Sequence, residues 1–101
     1  MATTTKALFR GAATTTVGTT LYTVPSATTA VVTSIVIANT AGTAGTFTLA
    51  LDGIAIATTV SIPANSITTL DIKQVLAATK TITGGASATT VNFHISGVEI
   101  A

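Results

Sequence analysis

The stretch "TFTLALDGIAIATTVSI", Thr46 to Ile62, carries the information that decides the fold. Phe47, Leu49 and Leu51 alternate with Thr46, Thr48 and Ala50. Asp52-Gly53 follows, and then Ile54, Ile56, Thr58, Val60 and Ile62 alternate with Ala55, Ala57, Thr59 and Ser61. A period of two on both sides of an Asp-Gly link is the pattern of a β-hairpin closed by a type I′ turn, since both turn residues tolerate a positive φ. That turn pairs Leu51 with Ile54, Leu49 with Ile56 and Phe47 with Thr58. These side chains then share one face, so register and hydrophobic pattern agree.

The flanking sequence is of the same kind. Thr and Val are frequent, and the long polar helix formers are rare. Turn residues recur roughly every 8–12 positions, as in an all-β sandwich or barrel. Thr19–Val24 reads as a strand stopped by Pro25, which cannot donate to a ladder. Ala30–Asn39 and Ile67–Ile72 read as strands, with a turn at Pro63–Ser66 between the hairpin and the latter. Val75–Ala78 reads as a short connection. Thr79–Thr83 reads as a strand ending at a Gly84-Gly85 turn, and Thr89–Ile100 as the last strand. The expectation is an all-β chain: one small antiparallel β-sandwich, jelly-roll or Greek-key-like, of about seven to eight strands. The boundaries expected are residues 1–18 as an N-terminal arm or edge strand and residues 19–101 as the sandwich.

The last strand holds an irregularity. Val91, Phe93 and Ile95 share a face, but Val98 and Ile100 are offset by one residue, with Gly97 at the slip. A β-bulge there would turn Val98 and Ile100 inward; a frayed end is the alternative, and without a bulge both should face outward. Ala30–Asn39 raises a different question. One face carries Val31, Thr33, Ile35, Ile37 and Asn39, and the other Val32, Ser34, Val36 and Ala38. Neither face is charged and both are partly apolar. The second face is therefore expected to be covered, by the N-terminal segment or by another subunit.

Composition narrows the function classes. Hydrophobic residues make up 48% of the 101 residues and charged residues only 7%, against roughly 25% charged in typical soluble domains. Lys6, Arg10, Lys73 and Lys80 are scattered, whereas nucleic-acid binding calls for clustered cations, so no nucleic-acid partner is expected. The opening residues lack an apolar signal-peptide core, and the longest apolar run, Ala30–Ala38, contains Thr33 and Ser34 and is too short for a membrane helix. No membrane association is expected. There is no cysteine, so thiolate sites and disulfides are excluded.

No catalytic signature is present. A nucleophile triad needs a base and an orienting acid. The single histidine, His94, falls on the strand face opposite the core, with only Asp71 and Glu99 as candidate partners, since Asp52 belongs to the turn. Three carboxylates and one histidine without ligand spacing give no metal site. No phosphate loop is present either, because Gly42–Gly45 and Gly84-Gly85 are not followed by a helix and read as turns. Neither an enzyme, a cofactor nor a small-molecule substrate is expected. Glycan binding usually uses aromatic platforms, and Phe47 and Phe93 fall on core faces; Tyr22 is expected at a strand end with its hydroxyl in water.

A chain with almost no charge cannot guard its sheet edges with lysine. Its Ala- and Thr-covered faces lose little on desolvation, and their hydroxyls can find new partners. Self-association is the expectation. The candidate interface residues are Lys6, Leu8, Phe9 and Arg10 in the N-terminal segment, Val32, Ser34 and Val36 on the outer strand face, and His94. The N-terminal cluster is either a first strand or an arm ordered by docking on a neighbour.

The motifs "LYTVP" (Leu21–Pro25), "TAVVTSIVIAN" (Thr29–Asn39), "TFTLA" (Thr46–Ala50), "IPAN" (Ile62–Asn65) and "GVEI" (Gly97–Ile100) together resemble a small β-sandwich module of tailed-bacteriophage virion proteins. The resemblance spans about Thr19 to Ile100 and is structural, with no active-site content. It implies a capsid decoration (cement) protein or a tail-fibre or baseplate module. With one small domain in the sequence, the expectation is a decoration protein on the outer capsid surface. Its implied partners are the major capsid protein and copies of itself, a homotrimer being the common arrangement. A tail-fibre or baseplate module contacting host glycan or another tail protein is the alternative.

Overall fold

In the computed structural model, which describes residues 3–101, all regular structure among those residues is β. The strands are β1 (Thr3–Ala12), β2 (Thr20–Thr23), β3 (Thr29–Asn39), β4 (Gly45–Leu51), β5 (Ile54–Ile62), β6 (Ser66–Leu70), β7 (Gln74–Leu76), β8 (Thr81–Ala86) and β9 (Val91–Ile100). Two antiparallel sheets pack face to face. One, which holds both chain ends, has the order β1-β9-β3-β6, with β7 continuing β6 along the same edge of β3. The other, which holds the hairpin, has the order β2-β8-β4-β5. We call them the terminal sheet and the hairpin sheet.

The pairings are nested about the Asp52-Gly53 turn: β4 with β5, β3 with β6 and β7, β2 with β8, and β1 with β9. The chain is thus one long ribbon folded at Asp52-Gly53 and then wrapped so that β9 also meets β3 and β8 also meets β4. This is jelly-roll topology. The turn is as expected, with φ of 55° at Asp52 and 75° at Gly53, both in the left-handed region that type I′ requires.

The hairpin register departs from expectation after its first pair. Leu51 does face Ile54, but Leu49 faces Ala57 rather than Ile56, and Phe47 faces Val60 rather than Thr58. Each step inserts one extra residue into β5, so β5 carries two bulges. At the second, Thr59 has a φ of 48° and its amide donates to Thr48 Oγ1 at 3.0 Å. Ile56 is the extra residue at the first bulge, whereas Ile54 and Val60, opposite Leu51 and Phe47, are exposed because β5 is the open edge of its sheet, and only Ile62 at the far end is fully buried.

Bulges also resolve the phase slip near Gly97. β9 itself keeps strict alternation, with Val91, Phe93, Ile95 and Gly97 buried and Val98 and Ile100 on the outer face. The extra residues lie in its two neighbours, Leu8 in β1 and Thr33 in β3. Thr33 Oγ1 donates to Ser96 O at 3.2 Å, giving that carbonyl a partner where the ladder is interrupted. The bulge at Thr33 switches the buried side of β3. Ala30 and Val32 point inward before it, and Ile35, Ile37 and Asn39 after it. Val32, expected on the outer face with Ser34 and Val36, is therefore fully buried. Leu8, expected at an interface, is buried against Gly97.

Two connections were also read wrongly from sequence. Gln74–Leu76 is a strand, not a connection, because its backbone completes the β3 edge beyond β6. Gly84-Gly85 is not a turn but the middle of β8. A Cβ on Gly84 would lie 2.6 Å from Thr48 O and from Leu49 Cδ2, and one on Gly85 would lie 2.5 Å from Thr16 O. These glycines are there for close approach, not for turning.

The core lies between the sheets. Phe47 and Phe93, from opposite sheets, meet edge to face with ring centroids 6.5 Å apart and an interplanar angle of 75°, a favoured aromatic geometry. Ile35, Ile37, Leu49, Ile62, Ile82 and Ile95 surround them. Asn39 closes one end. Its side-chain amide donates to Thr43 O, Ile62 O and Pro63 O at 2.9, 3.3 and 3.2 Å, and its Oδ1 accepts from Ala41 N at 3.1 Å. A buried amide that spends its whole capacity locally pins three chain segments together.

Candidate assembly surface

The outer face of the terminal sheet is built from aligned cross-strand rows. Register places Thr5, Val98, Val31 and Val75 in one row, and Ala7, Ser96 and Ser34 in the next. Arg10, His94, Val36 and Thr69 form a third, and Ala12, Asn92, Ala38 and Ile67 a fourth. Along the two central strands these residues are half-buried by one another. None of the described residues folds back over this face: β1 pairs with β9 at its edge and leaves the face open. The N-terminal segment is thus not the cover that the apolar face of β3 suggested.

Of the expected interface residues, the structure brings Arg10, Ser34, Val36 and His94 together on this face, with Arg10 directly opposite His94 and His94 opposite Val36. Lys6 and Phe9 turn the other way. Phe9 packs against the core. Lys6 lies at the rim between the sheets, where its Nζ stands 3.4 Å from Glu99 Oε2. Tyr22 donates its hydroxyl to the same carboxylate, so the hydroxyl is not simply in water, as expected from sequence, but ties β2 to β9. Burial, the hydrogen bond to Glu99 and the negative charge of Glu99 all push the Tyr22 phenol well above its usual range.

Charge on the outer face follows from a count. The chain has four basic and three acidic residues. Each acid has a basic partner: Glu99 with Lys6 at 3.4 Å, Asp71 with Lys73 at 2.9 Å and Asp52 with Lys80 at 3.7 Å. Arg10 is the residue left without an ion pair among those described. The formal net charge of +1 therefore sits on the β1 edge of a face otherwise made of Val, Ala, Ile, Ser, Thr, Asn and His. Such a face costs little to desolvate apart from one guanidinium, which a carboxylate on a partner would satisfy in bidentate fashion.

No group of three His, Asp or Glu residues able to hold a metal ion occurs among the described residues. Glu99 lies on the opposite side of β9 from His94 and is engaged with Lys6 and Tyr22. A depression of about 330 Å³ lies where β3 meets β6. Asn39, Thr40 and Ser66 in its wall spend their side-chain donors on internal carbonyls, which leaves the Asn65 amide as the one polar side chain there not engaged internally. All four aromatic side chains are buried or half-buried, so no open ring platform for a sugar is present.

Fold and surface together define a small antiparallel jelly roll with an uncovered, nearly uncharged sheet face. The chain matches no protein-family profile and no curated protein. Among solved structures it is similar to a pentameric capsid protein isolated from metagenomic phage sequences, at 18% identity and a TM-score of 0.41 over 94% of this chain. This chain spans 59% of the length of that one.

Proposed function

We propose that the protein is a structural component of a phage virion, a decoration (cement) protein that sits on the outer capsid and bridges its subunits. The open outer face of the terminal sheet, with Arg10 as its single unpaired charge, carries this reading. It offers apolar and hydroxyl surface over several strands and one fixed point for a carboxylate of the major capsid protein. Many such contacts, each weak, sum through multivalency when the protein itself is oligomeric. The sequence resemblance to virion β-sandwich modules supports the same role, and a homotrimer is the form that resemblance implies.

Quantifying the protein in purified particles tests the proposal. Copies in the hundreds, comparable with the capsid subunit, are expected; a few to a few dozen per particle would transfer the protein to the tail. A phage carrying Val36→Asp or Arg10→Glu should assemble particles depleted of this protein, while the isolated variants remain folded. The tail-fibre reading has the resemblance in its favour, but a glycan contact lacks an exposed aromatic platform here.

A further inference from the structure

Six large hydrophobic side chains are exposed, and five of them, Ile54, Ile56, Val60, Ile67 and Val75, belong to β5, β6 and β7. These strands form one side of the sandwich. The opposite side, β1 and β2, carries Lys6, Arg10 and Tyr22 and none of the six. On the apolar side the sheets do not close. A cleft of about 260 Å³ runs between β5 and β7, lined by Ile54, Ile56 and Val75, with the buried Leu51 and Leu76 also in its wall. Ile54 and Val75 are the most exposed of the six, at 70% and 69%.

Both bulges of β5 lie along this edge. An irregular edge is a poor template for strand addition. What the edge presents is apolar side chains around an open seam.

We propose that this seam is a contact between two copies of the chain, docked about a two-fold axis. The charge pattern selects a second copy. The cleft is flanked by the Asp52–Lys80 ion pair, 3.7 Å apart. A two-fold axis beside that pair brings each copy's Asp52 toward the other's Lys80, so unlike charges meet and no new partner is required. In an isologous contact each residue of the patch meets the same patch, and the seam is apolar enough to bury itself. The contact is two-fold and does not itself build a trimer; because Ile67 and Val75 also belong to the outer rows of the terminal sheet, its variants are placed on β5, and particle copy number tests the virion role separately.

Sedimentation velocity of the purified chain over a wide concentration range is the test. Wild type should show a dimer or an even-numbered assembly. Ile54→Asp with Ile56→Asp should weaken self-association on the order of a hundredfold or more. Val17→Asp, which alters the one exposed large hydrophobic residue outside the seam, should leave it unchanged. A second readout covers the case in which the double variant misfolds. The chain has no cysteine, so Ile54→Cys should give a covalent dimer on mild oxidation while Val17→Cys stays at the mass of one chain. A wild-type monomer at every concentration would overturn the proposal. So would association untouched by the seam substitutions, or an associated protein whose Ile54→Cys variant does not cross-link.

Discussion

Gly97 offers the sharpest test of how the terminal sheet is packed. A Cβ placed there would lie 2.4 Å from Val31 O and 2.8 Å from Leu8 Cδ1. To reach even 3.0 Å the carbonyl must retreat by 3.0 − 2.4, about 0.6 Å, and that carbonyl belongs to a strand fixed between neighbours on both sides. Overpacking of this kind costs about 1–3 kcal/mol, and loosening the adjacent β3–β9 hydrogen bonds adds about 1 kcal/mol. Gly97→Ala should therefore destabilise by about 2–4 kcal/mol, a large share of the roughly 5–15 kcal/mol typical of a domain of this size. At about 4–8 °C per kcal/mol, the melting temperature should fall by roughly 10–30 °C.

Equilibrium urea unfolding with the slope m held common is the assay. Gly11→Ala in β1 is the control, because its Cβ would meet only the Phe9 ring, at an ordinary 3.5 Å from Cζ and 3.8 Å from Cε2. Replacing a strand glycine without a clash should stabilise by about 0.5–1 kcal/mol. Leu8→Ala separates the two obstacles. It removes the side-chain contact but not the Val31 carbonyl, so the double variant with Gly97→Ala should recover less than about 1 kcal/mol of the expected loss. A Gly97→Ala protein within about 0.5 kcal/mol of wild type, or one fully rescued by Leu8→Ala, would refute this account of the packing.

Asn39→Ala should cost about 2–4 kcal/mol in the same assay, since it strips partners from three carbonyls and one amide at the closed end. Tyr22 gives a pH dependence. Its folded-state pKa is raised, so its contribution is fully present below the unfolded value of about 10 and is lost as pH climbs toward the folded one. Unfolding midpoints should fall in strongly alkaline buffer for wild type, and Tyr22→Phe should flatten that decline. Gly53→Ala places a Cβ at a φ of 75° with open space around it. Thermal melts should show a loss of about 1–2 kcal/mol from the backbone alone, with no repacking of the core.

The legible part of the fold was local. Asp52-Gly53 names its own turn type, and nothing distant is needed to form it. Val91, Phe93 and Ile95 were correctly placed inside, and His94 outside, because β9 keeps its alternation from end to end. The errors in strand facing at Leu8 and Val32 share one physical cause. A bulge adds a single residue and reverses every side chain beyond it, yet Leu8, Thr33 and Ile56 are ordinary strand residues with no compositional mark. Val32 was misplaced for that reason alone. Gly84 and Gly85 were misread because their reason is tertiary, lying in Thr48, Leu49 and the loop at Thr16. The candidate surface was half visible: Ser34, Val36, His94 and Arg10 were named, but their alignment into rows depends on β1–β9–β3 register, which no local pattern encodes. The apolar seam was not visible at all, since Ile54 and Ile56 read as core by alternation, and that β5 is the open edge of its sheet depends on the long-range pairing.

The pairing of Thr3 with Ile100 sets a schedule for biosynthesis. β1 leaves the ribosome about eighty residues before β9, as the spacing of their ranges shows. Until then β1 has an exposed backbone and no strand to receive it, and β3 lacks the neighbour that fills its other edge. The hairpin at Asp52 can form early; the sheet that holds both ends cannot. Long-range closure of this sort places a chain among the slow β folders, in the millisecond-to-second range. A nascent chain halted before Val91 should stay open to protease, and one extended past Ile100 should become resistant in a single step.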